Sequence, residues 1–130
     1  MDSQLPGVSP GQEVANIPND VAQLYAEARV SIAANAYTAA VLACRKLLMN
    51  VAVSQGAAEG LSFVAYVEHL ASSGYIPPNG RVWVDHIRKK GNEATHEIRL
   101  MDRAAAEELV TFAEMLLKFV YEFPARVPTQ

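Results

Sequence analysis

The chain has 130 residues, of which 51% are hydrophobic and 19% charged, with a formal net charge of −3. Such a length and composition fit one globular domain with a real core and exclude a disordered segment. The single cysteine, Cys44, excludes an internal disulfide and a multi-cysteine metal knuckle.

Residues 1–17 contain Pro6, Gly7, Pro10 and Gly11 with little periodicity, and read as an N-terminal tail or arm lying on the surface or on a second subunit. The start, Met1-Asp2-Ser3-Gln4, has no basic region followed by an apolar run, and no apolar run approaches bilayer length. A soluble, cytoplasmic protein without a membrane partner is the expectation.

A first helix is expected from Asn19 or Asp20, either of which can cap it after Pro18. Val21, Leu24, Tyr25, Ala28 and Ile32 form one apolar stripe along it. Ala34-Asn35-Ala36 is a break with Asn35 as the left-handed residue. A second helix runs from about Tyr37 to Ser54 and stops at Gly56. Its apolar residues line three sides: Ala40, Ala43, Cys44, Leu47 and Val51; then Val41, Leu48 and Ala52; then Leu42, Met49 and Val53. A helix apolar nearly all round belongs at the centre of a bundle. Arg45 interrupts it and is expected to be a structural tie to an acid or carbonyls. Cys44 is expected to be a small buried thiol.

A third helix, about Leu61 to Ser73, points Phe63, Val64, Val67, Leu70 and Ala71 inward and ends at Gly74. Pro77 and Pro78 force an extended link. A fourth helix from Asn79 or Gly80 puts Trp83, Val84 and Ile87 on its core side and ends at Gly91. Asp102 caps a fifth, which runs to about Glu122, where Pro124 stops it. Its stripe is Ala106, Leu109, Val110, Ala113, Leu117 and Val120. Phe112, Met115 and Phe119 form a second apolar side, to be covered by a partner subunit or by the N-terminal tail. Trp83, Tyr75 and Tyr66 are too scattered for a base-stacking platform and read as core aromatics. The sum is an all-α fold: a single up-down helical bundle of about five helices over residues 18–123, with a C-terminal tail at 124–130.

Most familiar chemistries leave no trace here. Among the histidines His69, His86 and His96, only the acid–His dipeptides Glu68-His69 and Asp85-His86 suggest ligands, and adjacent helical residues do not face each other, so no metal is expected. Phosphate-binding glycine loops and a nucleophile elbow are missing, and no cofactor is expected. The charge is uneven, however. From Arg81 to Arg103 six basic residues stand against four acids, for +2, which leaves −5 on the rest.

That basic stretch holds Arg88, Lys89, Lys90, Gly91, Asn92 and His96. Metal-free RNA cleavage needs a base for the 2′-hydroxyl, an acid for the leaving oxygen and a cation at the phosphate. His96 can do acid–base work near neutral pH, Arg88, Lys89, Lys90 and Arg99 can hold phosphates, and Asn92 can orient the sugar or the imidazole. A structural reading stands beside it. Gly91 ends a helix, Asn92 caps the next turn, and His96 packs there and bonds a carbonyl.

Three blocks carry a resemblance. They are Ile17-Pro18-Asn19-Asp20-Val21 with Tyr25-Ala26-Glu27-Ala28, then Ala36-Tyr37-Thr38-Ala39-Ala40-Val41-Leu42-Ala43-Cys44-Arg45-Lys46-Leu47-Leu48, then Ile87-Arg88 with Gly91-Asn92-Glu93-Ala94-Thr95-His96. Together, over about residues 17–123, they resemble a prokaryotic family of the HEPN superfamily, one of unassigned function that also occurs fused to restriction-type nucleases and helicases. The resemblance implies a helical bundle that often dimerises. In active HEPN ribonucleases an Arg and a His, four to six residues apart, meet their mates across the dimer, and an Asn often follows the Arg. Asn92 and His96 fall in the Asn and His slots, and Gly91 falls in the Arg slot. Arg88 is separated from His96 by seven residues and Lys90 by five.

The expectation is a non-catalytic or weakly catalytic HEPN-like module. It would act by dimerisation and by binding RNA or a protein partner, such as a nuclease or other defence-system protein, in a prokaryotic or phage defence or counter-defence setting. Two alternatives remain open: a metal-independent endoribonuclease using His96 with Arg88 or Lys90, and an acidic scaffold or inhibitor protein.

Overall fold

The computed structural model describes residues 12–76, 82, 85 and 102–127. Among these the chain forms helices and turns with no strand. The elements are α1 (Asn19–Ala33), α2 (Tyr37–Ser54), α3 (Phe63–Ser72), α4 (Arg103–Leu117), a π-helical turn (Lys118–Glu122) and α5 (Phe123–Arg126). The fold is all-α. Val82 and Asp85, from the expected fourth helix of the sequence, are helical and exposed. Pro77, Pro78, Trp83, Val84 and Ile87 lie outside the described residues. No described helix is long and apolar enough to cross a membrane.

Helix α1 buries Val21, Tyr25, Ala28 and Ile32, the spacing of one helical face, and leaves Leu24 half-buried. It starts one or two residues earlier than side-chain capping by Asn19 or Asp20 would require. Pro18 takes the cap position with no side-chain bond, and its carbonyl accepts from the Ala22 N–H at 2.8 Å. Asp20 instead turns one oxygen to the Val21 N–H, at 2.9 Å, and the other to the Asn50 amide of α2, at 3.3 Å.

The first three helices end the same way. A left-handed residue follows the cap, and the next N–H reaches back to the carbonyl five residues earlier. Ala36 donates to Ser31 at 2.7 Å past Asn35 (φ 63°), Ala57 to Ala52 at 3.0 Å past Gly56 (φ 104°), and Tyr75 to Leu70 at 3.2 Å past Gly74 (φ 87°). These are Schellman closures, which satisfy carbonyls that a helix end otherwise leaves open.

Helix α2 packs against α1, α3 and α4. Ala40, Val41, Cys44, Leu47, Leu48, Val51 and Ala52 are buried, so two of its three apolar sides face neighbours. The third is only partly covered: Met49 and Val53 are half-buried and Leu42 is 57% exposed. Helix α3 starts at Phe63, after Ser62 accepts from the Ala65 N–H at 3.1 Å. Its buried face is Phe63, Tyr66, Val67 and Leu70, with Val64 and Ala71 half-buried. Tyr66 is in the core as expected, and its hydroxyl accepts from the Leu61 N–H at 3.1 Å. Tyr75 is half-buried.

Asp102 caps α4 through the Ala105 N–H at 2.9 Å. The expected stripe of α4 is buried, and Phe112 joins it with no exposed surface. Pro124 does not stop the chain, contrary to the sequence expectation. The π turn loosens the register just before it, and Pro124 then sits in the first turn of α5, where its missing N–H costs nothing.

Leu47→Ala should cost about 2–5 kcal/mol in denaturant unfolding, because a fully buried side chain of the central helix is removed. Leu42→Ala, on the uncovered side of the same helix, should stay within about 0.5 kcal/mol.

Candidate functional site

The residues that the sequence singles out for chemistry, Arg88, Lys89, Lys90, Asn92, His96 and Arg99, with Gly91, lie outside the described residues. The described residues beside them on the C-terminal side form a small polar cluster. The Arg103 Nε donates to the Tyr37 hydroxyl at 3.2 Å, and its guanidinium lies 5.6 Å from the Tyr37 ring centre. The Tyr37 hydroxyl in turn donates to Asn35 Oδ1 at 2.7 Å, and Glu107 stands 3.9 Å from Arg103. The sequence marks Arg103 only as one cation among six. Its link to Tyr37 and Asn35 spans more than 60 residues and leaves no local pattern.

A second feature is apolar. Where α4 passes into the π turn, Thr111, Glu114, Met115, Lys118, Phe119 and Phe123 line a hollow of about 280 Å³. Phe119 and Phe123 meet edge to face, with ring centres 5.4 Å apart and planes at 86°. They are 40% and 41% exposed. On an unbroken α-helix Phe119 would share the face of the buried Phe112, seven residues earlier. The wide turn starts one residue before Phe119, and Val120, the end of the expected stripe, is still buried.

A third feature flanks the second. Residues 12–17 run back over α1, α4 and the π turn as an arm. The Gln12 N–H donates to Glu114 Oε1 at 3.3 Å, and the Ala15 N–H to Glu122 Oε1 at 2.8 Å. Lys118 Nζ reaches the Gln12 side chain at 3.5 Å and Glu114 at 2.9 Å. The Gln12 carbonyl accepts from the Tyr25 hydroxyl at 2.6 Å. Burial, with help from the Glu114 carboxylate, pushes the Tyr25 phenol up to about 12, so it keeps the proton it donates. Val14 and Ile17 pack half-buried on the core. Glu122 is only 7% exposed and has two partners, the arm and Arg126 Nη2 at 2.9 Å. The second apolar side of the last helix is therefore divided. Phe112 is buried in the core, the arm lies along Glu114, Lys118 and Glu122, and the phenylalanine pair remains in solvent.

A shallow cleft of about 490 Å³ opens elsewhere, lined by Lys46, Met49, Asn50, Val53, Glu59, Gly60, Leu61 and Tyr66. The nearby Arg45 is half-buried, with its guanidinium 5.0 Å from the Phe63 ring centre, and burial lowers its pKa. The flat face of a guanidinium suits an aromatic ring. His69 serves the fold: its Nε2 lies 3.3 Å from the Gln55 carbonyl and 3.5 Å from Ser73 Oγ. Among the described residues no three His, Cys, Asp or Glu side chains group as metal ligands. Cys44 is fully buried, and burial pushes its thiol up to about 12, so it is not a nucleophile at neutral pH.

A family model described as a domain of unknown function (DUF4145) matches residues 26–130. No curated protein and no solved structure matches the chain.

Cys44 should resist a thiol-alkylating reagent in the native protein at pH 8 and react at once in denaturant. Because its folded pKa lies above the ordinary value of 9.0, stability should fall as pH rises from about 9 toward 12, and Cys44→Ala should flatten part of that fall in alkaline melts.

Proposed function

The chain belongs to that family of unassigned function, and we propose that it is a non-catalytic, HEPN-like helical module that pairs with a second copy of itself and holds RNA or a protein partner. The observation that carries the pairing is the Phe119–Phe123 pair, exposed at the edge of an apolar hollow on the last long helix. Two aromatic rings in solvent beside Met115, with Glu114 and Lys118 on the rim, have the make-up of an association surface: an apolar centre and a polar border.

The binding half of the reading rests on sequence. Arg88, Lys89, Lys90 and Arg99 supply cations for a phosphate backbone. Asn92 and His96 stand where HEPN ribonucleases keep two of their groups, and Gly91 stands where those enzymes keep the Arg. A glycine brings no charge to a phosphate, which favours holding over cutting. On the resemblance, this reading sets the module in the cytoplasm, in a prokaryotic or phage defence or counter-defence system with a nuclease or other defence protein as its companion.

Light scattering should give about twice the 14.1 kDa of one chain. A Phe119→Glu/Phe123→Glu variant should be monomeric with unchanged helical circular dichroism. A wild-type monomer at high concentration sinks the pairing. RNA affinity should fall with added salt and weaken in Arg88→Ala and Lys90→Ala. RNA cleavage in chelator that disappears in His96→Ala would replace this reading with the metal-independent endoribonuclease. Indifference to RNA together with capture of a basic protein would replace it with the acidic scaffold.

A further inference from the structure

We propose that the arm, residues 12–17, is exchanged in the paired molecule, so that each copy's arm lies in the other copy's groove. The inference rests on the pairing reading above and names the contact that would hold the pair together.

The groove holds the arm mainly by its main chain. Glu114 and Glu122 accept N–H groups three residues apart, from Gln12 and Ala15, and Tyr25 donates to the Gln12 carbonyl. Val14 and Ile17 provide apolar seats. An identical arm from a second copy makes the same set of contacts, so exchange costs no bond, and self-complementarity under a two-fold axis is then automatic. The arm also lies outside residues 26–130, the part that the family shares, whereas Glu114 and Glu122 lie inside it.

Two observations favour exchange over permanent self-docking. Glu114 and Lys118 belong both to the arm's groove and to the hollow beside Phe119 and Phe123. A copy seated on the phenylalanine pair therefore has its partner's groove next to its own. The second is the hinge. The arm turns back on its own body through Asn16, at φ 67°, a left-handed conformation that asparagine adopts more readily than other side-chain-bearing residues and a β-branched residue resists. Pro18 then holds an extended conformation before α1 (φ −60°, ψ 152°). Turning Asn16 to an extended conformation points the arm away from its own helices. Six residues, extended, reach about 20 Å, more than the ~10–12 Å width of a helix.

The test uses two full-length versions with tags of different size, one carrying Gln12→Cys in the arm and the other Lys118→Cys in the groove. They are mixed in denaturant, refolded together and treated with a short bismaleimide. Cys44 is buried and does not compete. The expected product is a covalent pair containing one of each. Asn16→Val, which tolerates the left-handed turn less well, should raise its yield several-fold, and Asn16→Gly should lower it. A dimeric mass with no mixed product, or a yield indifferent to both Asn16 variants, overturns the exchange and leaves the pairing standing. A monomeric mass overturns both.

Discussion

A helix with seven buried apolar positions needs walls on more than one side, and α2 sets that requirement for the whole molecule. Burying a large aliphatic side chain contributes roughly 1.5–3 kcal/mol, and ordering the chain around it costs a comparable amount per residue, so the gain arrives only when several helices close on α2 together. Here α1, α3 and α4 do so. The first three helices each end in the same compact closure, and after α1 a left-handed Asn35 turns the chain into α2 within three residues. Among the described residues the buried set is apolar apart from Glu122. The fully buried thiol of Cys44 is tolerated because it behaves as a small hydrophobe.

Once α2 is enclosed, α4 and its continuation have a covered side and an open one. The covered side holds Phe112, Leu116 and Leu117 in the core. The open side holds what the core does not need: carboxylates that can take N–H groups, a lysine and two phenylalanines. The π turn joins these two conditions. It carries the end of the buried stripe, Val120, and lets the chain pass Pro124 in the first turn of a new helix, where a missing N–H is tolerated. Such wide turns are often found at working parts of proteins, where a change of register re-aims side chains.

Much of the fold was legible because its signals are local. The bounds of α2, the left-handed Asn35 and the Asp102 cap can all be read from a few adjacent residues. Side-chain period places Val21, Tyr25, Ala28 and Ile32 on one face without knowledge of what covers it. Legibility failed where structure depends on distance. Nothing near Ala15 announces Glu122, 107 residues away, and nothing near Tyr37 announces Arg103. The stop at Pro124 misled because a proline reports only on its own N–H and the preceding turn, whereas the π turn belongs to the packing of α4. The candidate chemistry was legible as residue types, Arg88, Asn92 and His96, and these lie outside the described residues, so geometry adds nothing to their reading.

The remaining question is why a chain would leave Phe119 and Phe123 exposed beside a strap tied by its own main chain. Single apolar residues on a surface need no explanation, but two rings meeting edge to face at the rim of an apolar hollow form a contiguous patch that water penalises. The strap could have covered them and instead lies along the carboxylates, where a buried Glu122 holds a main-chain N–H rather than a side chain specific to one sequence. Main-chain docking is sequence-tolerant and replaceable, whereas aromatic packing is the part of an interface that carries most of its energy. Placing the replaceable contact and the energetic one side by side on one helix gives a surface suited to assembly.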